Sequence, residues 1–266
     1  MHLMRIKYIT LGLVFFLLFT NDIHTQSDHI LAMIEAETQD MPDGTEFSLG
    51  HYQNGEWTHC GYKIKDGQRI KIDNSNKLFE IGSITKTFTA TLIMEMIEKG
   101  LLQLSDPITL HLPVQMVKDS FQNQTITIQH LLTHTSGLSP SPSSFTLPYL
   151  RALIFSPKNP NRNFKAKHYY KYLRKFELDY LPGREWNYNN SGYGLLGEII
   201  ENKYDQSWSK VLEDKILVPL KMDATCVRIT KSNKGQLVTG ITAKGKKSKP
   251  WEMDFIDPAG AIKSTL

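Results

Sequence analysis

Residues 79–100 read FEIGSITKTFTATLIMEMIEKG, and their interpretation decides the fold. Phe79-Glu80-Ile81 is a strand-like run that gives way at Gly82-Ser83 to a helical pattern reaching Gly100. The predicted helix carries Ile84, Phe88, Leu92, Ile93, Met96 and Ile97 on one apolar face. Gly100 ends it, because glycine readily adopts the left-handed conformation that closes a helix. Ser83 stands at the strand-to-helix junction, with Lys86 three residues on. On a helix that spacing places both on one face, so Lys86 Nζ can reach Ser83 Oγ. A serine hydroxyl is a weak nucleophile until a base takes its proton. Lysine becomes such a base when burial and the positive end of a helix lower its pKa, and the apolar neighbours Ile84 and Phe88 fit burial. A helix-capping serine beside a surface lysine would show the same four residues.

Outward toward the N-terminus, Arg69–Ile72 reads as a short strand. Residues 45–64 read as two strands around Asn54-Gly55, a pair suited to a type I′ hairpin turn. Ile30, Leu31 and Ile34 predict a helix over 28–44, ended by Pro42-Asp43-Gly44. Arg5 and Lys7 precede the 13-residue apolar run Tyr8–Thr20. A membrane span needs about 20 residues, whereas the apolar core of a signal peptide needs about 7–15. Residues 1–27 are therefore expected to be a signal peptide, with the chain periplasmic or secreted and not stably associated with membrane after cleavage. The alternative is an uncleaved anchor.

Toward the C-terminus, Thr127–Thr133 predicts a short helix, and residues 139–163, rich in Pro, Ser and Asn, a loop with a turn of helix at 147–155. Residues 165–178 carry aromatics and lysines at helical spacing until Pro182-Gly183. Ser191–Asn202 places Tyr193, Leu196, Ile199 and Ile200 inward, and residues 206–217 form a second amphipathic helix with Trp208, Val211, Leu212 and Ile216 on one stripe. Residues 228–249 hold seven basic residues and no acid, which reads as a solvated loop or strand edge. The whole chain of 266 residues is 40% apolar and 22% charged with a net charge of +4, ordinary globular composition with too small an excess to argue for nucleic acid. Two cysteines exclude a disulfide scaffold and a four-cysteine zinc site; in an exported chain Cys60 and Cys226 pair or stand as two small buried side chains.

A second cluster, Trp186-Asn187-Tyr188-Asn189-Asn190-Ser191, precedes the predicted helix at 191–202. In an extended stretch Tyr188 and Asn190 point the same way. A phenol near a lysine relays a proton, and an asparagine side chain donates to a carbonyl while orienting an amine. A plainer alternative has Asn190 capping the following helix with Tyr188 as packing. His130 and His134, four apart, match metal-ligand spacing, but they lack the glutamate of H-E-x-x-H and a third ligand, so a loop-shaping pair is expected. No G-x-S-x-G elbow is present, which speaks against an α/β-hydrolase.

Five blocks in order, Phe79–Ala90, Leu101–Pro113, Ile126–Leu138, Pro182–Glu201 and Val218–Thr225, resemble successive blocks of the penicillin-binding serine hydrolases, and most closely the class C β-lactamases and their esterase and D-amino-acid peptidase relatives. The resemblance covers about residues 30–265. It implies a mixed α/β fold, an antiparallel sheet flanked by helices in three layers, with an all-helical subdomain inserted at about 100–215 in a hydrolase domain of 28–266. It makes Ser83 the acylated nucleophile, Lys86 its base or anchor, Tyr188 the proton relay with Lys86, and Asn190 a contact to the substrate amide or ester. The Ser83 N–H would be half of an oxyanion hole, and neither metal nor organic cofactor is implied. The expected partner is a small-molecule or peptide substrate, an amide, ester or D-amino-acid peptide.

The same resemblance implies a third motif, a Lys/His-x-Gly strand, beyond the block that Pro258–Thr265 resembles. Val238-Thr239-Gly240 lacks the Lys or His and comes too early in block order. The expectation is an incomplete sheet with its C-terminal strands missing, and hence a fragment or a family member that has lost activity. Beside the reading as an exported serine hydrolase stands the alternative of a non-catalytic fragment or pseudoenzyme binding peptidoglycan-like or D-amino-acid ligands.

Overall fold

The computed structural model describes residues 32–34, 36–142, 144, 146, 147, 150 and 164–266. The expected signal peptide at 1–27, most of the expected helical turn at 147–155, and Ile30 and Leu31 of the first predicted helix lie outside these residues; residues 32–34 and 36–38 are helical.

Strands β1 (Glu46–Gln53), β2 (Glu56–Lys65) and β3 (Gln68–Ile72) form an antiparallel meander, in register from Glu46↔Lys63 to Gln53↔Glu56 and from Gly61↔Ile72 to Lys65↔Gln68. Both turns sit in the left-handed region, with φ of 52° and 86° at Asn54-Gly55 and 52° and 69° at Asp66-Gly67. Asparagine, aspartate and glycine tolerate those angles best, so the hairpin at Asn54-Gly55 forms where it is expected. The Asp43 carboxylate steadies the second turn by accepting from the backbone N–H of Asp66 and of Gly67, both at 2.9 Å.

Strand β4 (Phe79–Glu80) leads through a 3₁₀ turn at Gly82–Ile84 into helix α1 (Thr85–Glu98). After the two-residue strands β5 (Ser120–Phe121) and β6 (Gln124–Thr125) come α2 (Ile128–Leu132), α3 (Ala166–Leu173), α4 (Asn190–Tyr204) and α5 (Trp208–Leu212). Helix α5 widens into a π turn at Glu213–Leu217. Strand β7 (Thr225–Cys226), helix α6 (Asp257–Gly260) and strand β8 (Lys263–Ser264) complete the described chain. Strand β8 lies between β4 and β7, pairing Phe79↔Ser264 and Cys226↔Lys263. The end of the chain therefore returns to the strand that precedes Ser83. The architecture is mixed α/β with small antiparallel sheets and helices, as the resemblance implies. The expected all-helical stretch at 100–215 also holds the small β5–β6 pair.

The core is a cluster centred on α1, α4, α5 and residues 253–262. Leu92, Ile93 and Met96 of α1 meet Leu196, Ile199 and Ile200 of α4, all with no exposed surface. Burying one such side chain contributes about 1.5–3 kcal/mol. Helix α4 admits the return segment closely because it carries Gly194 and Gly197: a Cβ at Gly194 would stand 2.8 Å from Phe255 O, and one at Gly197 2.2 Å from Pro258 Cγ. Tyr193, Trp208, Val211 and Ile216 are buried as their periodicity predicts.

Two expectations need correction. Ile84, read as part of the apolar face of α1, is 59% exposed. The 3₁₀ turn at Gly82–Ile84 is out of phase with the α-helix and turns Ile84 outward. The helix read over 165–178 stops at Leu173, where Lys175 N donates to Tyr172 O and Phe176 N to Leu173 O, and Leu178 N then bonds Lys118 O. Among the described residues no helix is long and apolar enough to cross a membrane, and Cys60 and Cys226 are free and half-buried. Residues 228–249 are largely exposed.

Candidate active site

Ser83 is exposed in the 3₁₀ turn between β4 and α1. That turn is held from the far end of the chain: Ile81 N donates to Ile262 O at 3.1 Å, and Ile262 N donates to Thr85 Oγ1 at 3.1 Å. Lys86, one turn into the helix, is only 6% exposed. Its Nζ donates to Ser83 Oγ at 3.2 Å and to Ala259 O at 2.7 Å. The expected pairing of Ser83 with Lys86 is present. Ile84, however, contributes little to burying the lysine. The Tyr188 ring, the Tyr193 ring and the carbonyl of Ala259 enclose it, with Nζ 4.7 Å and 5.5 Å from the two ring centroids.

Tyr188 approaches from the segment before α4, and its hydroxyl donates to Ser83 Oγ at 2.6 Å. Two functional groups thus converge on the Ser83 oxygen, Tyr188 from 105 residues away in sequence. Burial lowers the pKa of Lys86, partly offset by Tyr188. Burial pulls the Tyr188 phenol up, but its interaction with Lys86 and its hydrogen bond to Ser83 outweigh that, and the net shift is down. Among the described residues no carboxylate forms an ion pair with Lys86; its amine meets Ser83, the Ala259 carbonyl, the Tyr188 phenol and the Tyr193 ring. An amine and a phenol whose pKa values both fall, touching one hydroxyl, can accept its proton and return it.

Residues 188–190 alternate exposed, buried, exposed. Asn190, the first residue of α4, is exposed beside Tyr188, and no described residue hydrogen-bonds its side chain. The alternative in which Asn190 caps the helix is corrected, because Asn189 does so. The Asn189 side chain accepts from Gly192 N at 3.1 Å and donates to Leu138 O at 2.7 Å, and the residue is 2% exposed. An N-cap needs an extended backbone, which Asn189 supplies with φ −137° and ψ 105°.

His130 and His134 are each spent on backbone. His130 Nδ1 accepts from Thr127 N at 3.1 Å, closing the start of α2, and His134 Nδ1 accepts from Asn189 N at 3.1 Å. Among the described residues no group of three or more metal-ligating side chains gathers. Val238-Thr239-Gly240 runs beside Leu78, with Val238 N bonded to Leu78 O. Sequence reading missed Lys263, which is 3% exposed and donates to Val227 O at 3.2 Å, Trp251 O at 3.1 Å and Ala261 O at 2.9 Å, tying three segments behind Ala259. It also missed the Ala259 carbonyl itself. A backbone oxygen has no signature in residue type.

The beta-lactamase family pattern matches residues 36–266. Protein flp of Staphylococcus aureus (strain N315) is 31% identical over 251 residues, spanning 92% of this chain and 47% of that protein. The chain thus covers about half the length of the curated relatives it matches. Among solved structures, the beta-lactamase/D-alanine carboxypeptidase of Yersinia pestis superposes with a TM-score of 0.68 at 22% identity, covering 86% of this chain and 61% of that one. A class C beta-lactamase gives a TM-score of 0.70 at 21% identity, covering 92% and 62%. At these identities the structural likeness speaks for the fold.

Proposed function

We propose, from the premise that this chain belongs to the beta-lactamase family, that it is a serine hydrolase working through an acyl-enzyme on Ser83. One observation carries the reading: Ser83 Oγ lies 3.2 Å from Lys86 Nζ and 2.6 Å from Tyr188 Oη. In the first half-reaction the Lys86–Tyr188 pair takes the Ser83 proton as Oγ bonds to the substrate carbonyl carbon. The Ser83 N–H faces the developing oxyanion, Asn190 contacts the substrate amide or ester, and the leaving amine or alcohol departs with the proton from Tyr188. In the second half-reaction Tyr188 takes a proton from water, water attacks the ester carbonyl, and Ser83 Oγ leaves with that proton as the acid product forms. The substrate class is an amide, ester or D-amino-acid peptide with a compact acyl group. We further propose that the chain acts outside the cytosol, from the apolar run behind Arg5 and Lys7.

Intact mass after incubation with a fluorophosphonate, and separately with a penicillin, tests this. The expected result is a single adduct that is absent in a folded Ser83→Ala variant. An equal adduct in that variant, or none on a folded wild-type chain, overturns the reading; the latter result favours a protein that binds such ligands without turnover.

A further inference from the structure

We propose that His134 is a positioning residue that sets the Tyr188 phenol over Ser83, and that it does so only as the neutral imidazole. The proposal rests on the reading of Ser83 as nucleophile. Tyr188 lies on an exposed segment that has no ladder partner among the described residues, yet its hydroxyl must stay within hydrogen-bond reach of Ser83. Its two flanking backbone N–H groups go to a single residue: Asn187 N donates to His134 O at 2.8 Å, and Asn189 N donates to His134 Nδ1 at 3.1 Å. The imidazole also packs on the phenol itself, with ring centroids 4.5 Å apart, and on Tyr193 at 5.2 Å. One residue thus holds the segment on both sides of Tyr188 and backs its ring.

The backbone at His134 is consistent with a demanding placement. Its φ is 60°, in the left-handed region that non-glycine residues seldom occupy. That turn, just past α2, lets the carbonyl and the ring of one residue meet the same neighbouring segment. Thr135 O continues the contact by accepting from Gly183 N at 2.9 Å.

The hydrogen bond also fixes the protonation state. Nδ1 accepts from Asn189, so the ring proton is on Nε2. A second proton on Nδ1 would break that bond and set an imidazolium against the Lys86 charge. The titratable groups that face the ring are Lys86 from α1, Tyr188 from the clasped segment and Tyr193 from α4. Burial first, and then the Lys86 charge, hold His134 below the ordinary histidine range.

The test compares His134→Gly with His134→Asn. Both residues tolerate a positive φ, but only asparagine restores an acceptor near the Nδ1 position, and neither titrates. Single-turnover acylation of Ser83 is followed from roughly pH 8 down through the ordinary histidine range near 6.5. The glycine variant is expected to lose about tenfold or more at the upper end, part of the roughly 10²–10⁴ that a positioned proton-transfer group supplies. The asparagine variant is expected to recover most of that rate and to keep it to lower pH than wild type. Equal rates in all three proteins, or an asparagine variant as slow as glycine with the wild-type acid limb, overturn the proposal. If the glycine variant does not fold, the acid limb of the asparagine variant alone decides. If wild type forms no Ser83-dependent adduct, the hydrolase reading fails, and ultraviolet difference titration of the phenols, with Tyr188→Phe as reference, still decides the role of His134. The Tyr188 ionisation is then expected to move up in the glycine variant and to return in asparagine. No movement in either variant overturns the proposal.

Discussion

Replacing Gly197 by alanine tests whether the return segment that anchors Lys86 is packed as tightly as the structure shows. The new Cβ would stand 2.2 Å from Pro258 Cγ and 3.1 Å from Pro258 Cβ. Carbon atoms meet comfortably at about 3.5–4.0 Å, so relief requires more than an ångström of movement. A proline ring cannot rotate away, and Gly197 is fixed in the middle of α4. The segment itself must move. Its carbonyls hold the site: Pro258 O accepts from Thr89 Oγ1 and Ala259 O from Lys86 Nζ, both at 2.7 Å. Overpacking of this kind costs about 1–3 kcal/mol, and alanine returns about 1 kcal/mol of helix propensity. The net loss expected is about 0–2 kcal/mol, or up to roughly 8 °C in Tm for a domain of this size. Acylation should suffer more than stability, by about 10²-fold, because an ångström of misplacement at a catalytic group costs that much. Thermal unfolding by circular dichroism and single-turnover labelling read the two effects. A Tm equal to or above wild type with unchanged labelling would refute the packing argument and the link from α4 to Lys86.

Further outcomes follow from the same geometry. Tyr188→Phe should slow acylation by about 10²–10⁴ with little change in Tm, since the side chain is substantially exposed and loses only its hydroxyl; a rate within a few-fold of wild type would remove Tyr188 from the proton path. Asn189→Ala loses the cap on Gly192 N and strands the buried Leu138 carbonyl. Together these cost about 2–4 kcal/mol, read as a lower urea midpoint at unchanged slope. Stability should also fall as pH drops below about 6.5. Burial holds His130, His134 and His168 below their ordinary value, so the unfolded chain takes up protons first, and stability present above that pH is lost as the folded-state values are crossed. Glu198 and Asp257, raised by burial, act with the opposite sign, because the folded chain takes up their protons first. Equal urea midpoints at neutral pH and at about pH 5.5 would contradict this assignment.

The parts of the fold legible in the sequence are those whose cause is local. Asn54-Gly55 carries its turn because both residues accept positive φ, and the stripes on α1, α4 and α5 are buried as their spacing predicts. Ile84 was misleading because periodicity assumes an unbroken α phase, and the 3₁₀ turn breaks it. The cap read at Asn190 falls at Asn189, a shift of one residue of phase at a helix start. At the site, the Ser83–Lys86 contact follows from helical spacing alone. Tyr188 is a candidate from its own cluster, but its pairing with Ser83 comes only through the resemblance, since nothing local says that a loop 105 residues away returns to Ser83. The buried partners of Lys86 and Lys263 are backbone carbonyls, which any residue could supply.

The hydrogen bond from Lys86 to Ala259 joins residues 173 positions apart, and this sets an order in time. Ribosomes add roughly 5–20 residues each second, so Lys86 exists for about 10–35 s before the carbonyl that receives its ammonium has been made. Through that interval strand β8 is also absent, the turn around Ser83 has no Ile262 to hold it, and the lysine stays hydrated with its ordinary affinity for a proton. The serine is therefore an unremarkable alcohol on the nascent chain. On the proposed reading, it becomes a nucleophile only when the segment that carries Ala259 and Ile262 has been made and folds back across the helix, so that biosynthesis itself keeps the chemistry latent until then.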